Sequence, residues 1–299
     1  MIYGNSVLTE ETRNMLILGS EIDNFSKITE SEYLVEFSFE DIIDKILGFF
    51  RGIREFIKRI FKSIKAVIDS FFNRNSDSSD GTAKKYELPL NVTYYKADEL
   101  YNSYIPNCNK FLDMASSTSL KPKFQSMINT ILSIIKTTKD TGSDVDSKFV
   151  EDEIYKYERD CTEIFEKFVT ASNSIESHAI DFFKVDAEVT TIEQAKSIIK
   201  IIDDQNIEKI ESFVEESEKK TIGTIDLIEA SLKEIYSKAK ADIGDNKQAI
   251  KAFNVFVTEN KKLIQGFKVV INKTYNFFKL MITRNKITRI KLLMASSDD

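Results

Sequence analysis

Asp140-Thr141-Gly142 is the tripeptide that aspartic proteases place in a loop where two carboxylates share one proton. It occurs once in this chain, without the flanking apolar strands such a loop needs, and reads as a link between helices. Asp140, Asp144 and Asp146 also invite a calcium reading, but the alternating Asp order, its glycine and the closing bidentate Glu are missing. His178 is the single histidine, so imidazole chemistry would rest on it alone. Glu176 and Asp181 lie near it without a nucleophile at a useful spacing. Cys108 and Cys161 are the only cysteines, too far apart and too isolated for a zinc site or a disulfide framework, which fits a reducing compartment. Neither a Gly-x-Gly pair nor a Gly-Lys-Ser/Thr triplet is present, so phosphate loops are excluded. The expectation is a protein that is not an enzyme and carries no cofactor and no metal.

The elements that would position any such residues are long helices. Gly 9 and Pro 3 in 299 residues leave too few turns for a sandwich, a barrel or a doubly wound fold. Ile, Lys, Glu and Phe recur instead at three- and four-residue spacing, which predicts an all-α fold: an elongated bundle of long helices with a separate N-terminal amphipathic helix. No run is long and uncharged enough to cross a membrane. The first residues, MIYGNSVLTEETRNMLILGSEIDNF, lack the basic start and continuous apolar core of a secretory signal.

The stretch around which the rest is organised is 39–72, FEDIIDKILGFFRGIREFIKRIFKSIKAVIDSFF. At about 100° per residue its apolar side chains fill one half of the helical wheel. Phe49, Phe50, Ile53, Phe56, Ile57, Ile60, Phe61 and Ile64 form the centre of that face, and Arg51, Arg54, Lys58, Arg59, Lys62 and Lys65 form a basic opposite side. Two coverings suit such a helix. One is the core of a bundle; the other is a partner protein or an anionic membrane surface.

Residues 1–38 form an acidic leader, and 73–95 reads as a linker opened by Asn73 to Gly81, with Lys84 to Tyr95 extended. The remainder, 96–294, reads as a helical bundle. A helix from Ala97 breaks near Pro106, Pro122 suits the first turn of the next, and Ser147 and Thr191 stand where N-caps belong. Ser217, Thr221 and Gly223 interrupt an otherwise regular seam and predict either a bend or a thin patch. The acid-rich middle from Asp140 to Glu234 and the basic last helix predict an antiparallel arrangement with opposite charges facing. A nucleic-acid contact by that last helix is less favoured, because its charges are spread around it.

An acidic leader, an amphipathic FFRGIREFIKRIFKSIKAVIDSFF helix, a polar linker and long following helices together resemble the helical structural and internal head proteins of large tailed bacteriophages. The resemblance lies mainly in 37–72. It implies a capsid-associated virion protein assembled in the host cytoplasm, with other virion proteins or further copies of itself as partners. Proteins of that kind are often trimmed after a Leu/Ile-x-Glu tripeptide. Leu8-Thr9-Glu10, Ile28-Thr29-Glu30 and Leu34-Val35-Glu36 fit it, making Glu10, Glu30 and Glu36 the implied processing positions; Ile164-Phe165-Glu166 and Leu232-Lys233-Glu234 fit it too. The alternative expectation is a membrane-active protein that lays 39–72 on a bilayer.

Overall fold

A computed structural model describes residues 39–72, 86–96, 100–142, 145–173, 183–205, 207–239, 243 and 246–296. Of these, 87% are helical, which places the chain in the all-α class. The elements are α1 (Phe39–Phe72), β1 (Leu90–Tyr95), a π-helical turn (Leu100–Tyr104), α2 (Ile105–Met114), α3 (Ser117–Thr141), α4 (Ser147–Asn173), β2 (Lys184–Val189), α5 (Ile192–Asp203), α6 (Ile207–Ala239) and α7 (Lys247–Ser296).

Helix α7 is the axis. Its 50 residues span roughly 75 Å at 1.5 Å per residue, and α1, α3, α4, α5 and β1 all lie against it at successive levels. Its buried side chains fall on one broad side of the helix along its whole length. Phe256, Phe267, Phe278 and Asn285 recur at close to whole numbers of turns, so they share one stripe, and all are inaccessible. Short-range signals set the helix ends. Thr191 and Gln194 form a reciprocal capping box at the start of α5. Gly142 takes the left-handed conformation (φ 67°) that closes α3, its amide donating to the Thr138 carbonyl at 2.9 Å. The Asp140-Thr141-Gly142 tripeptide is thus a helix C-terminus.

Several expectations are corrected. Pro122 sits in the second turn of α3, because Ser116 caps that helix by accepting from the Ser119 amide. Asp146, rather than Ser147, takes the capping role before α4; its carboxylate accepts from the Lys148 amide at 3.0 Å. The chain breaks at Asp204 and Gln205, and α6 runs unbroken through Ser217, Thr221 and Gly223. That patch is thin because α2 and α3 meet there. Thr224 donates to the Ala115 carbonyl, and a Cβ on Gly223 would come within 3.3 Å of the Ser117 hydroxyl.

The end of the expected linker is also structured. Leu90 to Tyr95 pairs antiparallel with β2, Leu90 opposite Val189 and Tyr95 opposite Lys184. The hairpin-like sheet closes a small second core of Val92, Tyr94, Val189, Ile198, Ile202 and Leu292. Helices α4 and α7 run parallel, not antiparallel. Glu151 meets Lys251, Tyr157 meets Asn260 and Ser172 meets Lys273, so the numbers rise together. The intervening α5 and α6 return the chain to the end where α4 begins, and Gln248 there donates to the Val145 carbonyl.

Candidate functional site

The amphipathic helix α1 turns its apolar face inward. Phe50, Ile53, Phe56, Ile57, Phe61 and Ile64 are buried, Phe49 and Ile60 partly so, all in one core with α6 and α7. Phe61 and Ile64 share a small void with Phe213 and Val214 of α6 and Val270 and Ile271 of α7. The helix is therefore packed into the bundle in this structure, and the side expected to meet a partner or membrane is interior. At roughly 1.5 kcal/mol each, the ten apolar side chains of α1 that are buried contribute on the order of 15 kcal/mol gross.

The basic side of α1 has two parts. Arg54 pairs with Asp226 at 3.1 Å and Lys65 with Glu218 at 2.8 Å, while Lys58 reaches Glu55 in its own helix. Donation of a hydrogen bond to Glu218 raises the Lys65 pKa above its ordinary value, with Glu215 and Glu211 adding to the field. Arg51, Arg59 and Lys62 face solvent. The acidic α6 thus meets basic α1, where the sequence pattern had paired the acidic middle with α7. Exposed pairs of this kind contribute about 1 kcal/mol or less, so the apolar face outweighs them and fixes the helix.

The side chains with chemical potential are quenched by burial. Cys108 is buried beside Tyr104, whose hydroxyl bonds to Thr274, and the thiol is pushed up to about 12. Cys161, beside Tyr157, is likewise pushed up to about 12, by burial first and then by the charge of Glu259. At pH 8 roughly one thiol in ten thousand at either site would be ionised. Iodoacetamide at pH 8 is therefore expected to label neither cysteine appreciably in the native protein and both after unfolding. Rapid native labelling of Cys108, read by mass spectrometry, would contradict the burial.

Among the described residues no group of three or more His, Cys, Asp or Glu could hold a metal ion, and no helix is long and apolar enough to cross a membrane. His178, Asp144, the leader with Glu10, Glu30 and Glu36, and Asn73 to Gly81 lie outside the described residues.

A cleft of about 860 Å³ opens where α2, α3, α4 and α7 converge, and no motif in the chain marks it. Phe111, Phe124, Ile164 and Phe168 line its depth, with Phe165 and Val269 half-exposed at its mouth. Gly266 keeps the walls close: a Cβ there would touch Phe111 and Phe168 at 3.4 Å. Polar groups gather along α7. Glu259 pairs with Lys262 at 2.6 Å, and Asn260 donates to Tyr157 and the Phe256 carbonyl. Lys268, over the Phe56 ring at 5.6 Å, is held below its ordinary pKa by burial, and Lys273 donates to the Ser172 carbonyl and hydroxyl. Compared with known protein families, curated proteins and solved structures, the chain matches none.

Proposed function

We propose that the protein is a non-enzymatic, helical structural component of a tailed-phage particle, held among other particle proteins or further copies of itself. The observation that carries this reading is the axis helix. A 50-residue α7 clasped at successive levels by shorter helices makes a long, stiff body whose length, rather than a reactive centre, is its most developed feature. The phage-like succession of leader, amphipathic helix and long helices supports the particle setting. The burial of the Cys108 thiol supports a role without covalent chemistry.

A membrane role for 39–72 has packing against it. Release of α1 would uncover Phe213, Val214, Val270 and Ile271 as well as its own face, and a bilayer would re-cover only the helix that left. Mass spectrometry of purified phage particles tests the proposal. The expected result is peptides from α1 through α7 at stoichiometric level, with a mature N-terminus directly after Glu10, Glu30 or Glu36. Absence of the chain from washed particles of a phage that expresses it would overturn the reading.

A further inference from the structure

We propose that the cleft between α4 and α7 binds a long-chain fatty acid, its acyl chain lying along α7 and its carboxylate at the rim formed by Lys268 and Lys273. The inference does not depend on the particle assignment. The α7 side of the cleft runs from Glu259 to Lys273, about 21 Å at 1.5 Å per residue, a length that suits a sixteen-carbon chain. Its volume of about 860 Å³ falls within the range of ordinary small-molecule sites.

Charge is unevenly placed along this trench. At one end Lys262 is neutralised by Glu259 at 2.6 Å. Toward the other, Lys268 and Lys273 have no acidic partner among the described residues, and Lys273 spends its donors on the neutral Ser172. An elongated apolar trough with positive charge uncompensated toward one end is complementary to a molecule with one anionic head and one greasy tail.

The depth argues for an acyl chain rather than a peptide. Phe111, Phe124 and Ile164 line the cleft yet are each no more than 3% exposed, so its floor is narrow. A helix about 10–12 Å across would reach that floor only by parting α4 from α7. At the floor, an extended peptide would bring backbone N–H and C=O groups against Phe111, Phe124, Ile164 and Phe168, whose side chains cannot pair them. A methylene chain brings none.

Isothermal titration of the full-length protein with palmitate, laurate and methyl palmitate below their aggregation concentrations tests this. Palmitate should bind saturably at one site, laurate more weakly by roughly fourfold per methylene removed, and methyl palmitate at least tenfold more weakly than the acid. The Lys268→Gln/Lys273→Gln double variant should bring palmitate down to the affinity of the ester. Val269→Trp, at a half-exposed position on the mouth, should block both ligands while the helical circular-dichroism signal stays unchanged. No saturable palmitate binding would overturn the proposal, as would binding indifferent to both variants. So would displacement of palmitate by a peptide of residues 1–38 at lower concentration than the acid itself, which would make the leader the occupant.

Discussion

Phe267→Asp is expected to abolish the folded state at room temperature, as a loss of the helical circular-dichroism signal and of any cooperative melt. Phe267 is fully buried in the middle of α7, and its ring centre lies 5.2 Å from that of Phe111 on α2. Truncating a buried phenylalanine costs about 3–5 kcal/mol. A carboxylate at the same place adds several more, because it would be buried in an apolar core against the Phe111 ring. The sum rivals the about 5–15 kcal/mol that stabilises a typical domain. Its sequence neighbour supplies the control. Lys268 is half-buried and without an acidic partner among the described residues, so Lys268→Glu should cost about 1 kcal/mol or less and leave a cooperative melt. Comparable losses from the two changes would mean that α7 is not clasped as described.

The contrast between those neighbours also shows how far the chain could be read without its structure. Periodicity located α1 and the Phe-rich face of α7, and short motifs located Thr191 and the end of α3, because these signals act within a few residues. The exchange of partners was not legible. Acidic α6 could satisfy either basic helix, and only packing depth assigns it to α1, through Asp226 and Glu218. Strand β2 escaped because KVDAEV is short and half-exposed, and its order comes from Leu90–Tyr95, nearly a hundred residues away. The cleft escaped for a similar reason. The role of Gly266 emerges only where Phe111 and Phe168 converge on it from two other helices. Asn285 was hidden among the lysines and arginines of the last helix, and it proves to be the polar clip of the sheet end.

Asn285→Ala is expected to lower stability by about 2–4 kcal/mol, with the loss concentrated at the sheet end. The side chain is inaccessible, and its Oδ1 accepts from the Tyr95 amide at 2.7 Å while its Nδ2 donates to the Tyr95 carbonyl and to Gln205 Oε1, each at 3.0 Å. It behaves as an extra ladder partner for the last residue of β1. Without it the Tyr95 carbonyl still receives Gln205 Nε2 at 2.6 Å, but the Tyr95 amide is left unpaired in the interior, at about 1–3 kcal/mol, and the half-buried Gln205 Oε1 loses its donor. Hydrogen exchange should therefore quicken at the Tyr95 amide and along β1 and β2, while the Phe256 and Phe267 levels of α7 stay protected. Asn285→Asp discriminates further. Its carboxylate would keep the bond from the Tyr95 amide but face the Tyr95 carbonyl and Gln205 Oε1 without a donor, so burial and these acceptors would raise its folded pKa above the unfolded value near 4. The folded state then holds the proton more tightly, and the variant is most stable below the unfolded pKa and weakens as pH rises toward the folded one. A variant whose melting temperature rises with pH between 4 and 7 relative to the parent would show that Asn285 does not occupy this acceptor-rich niche.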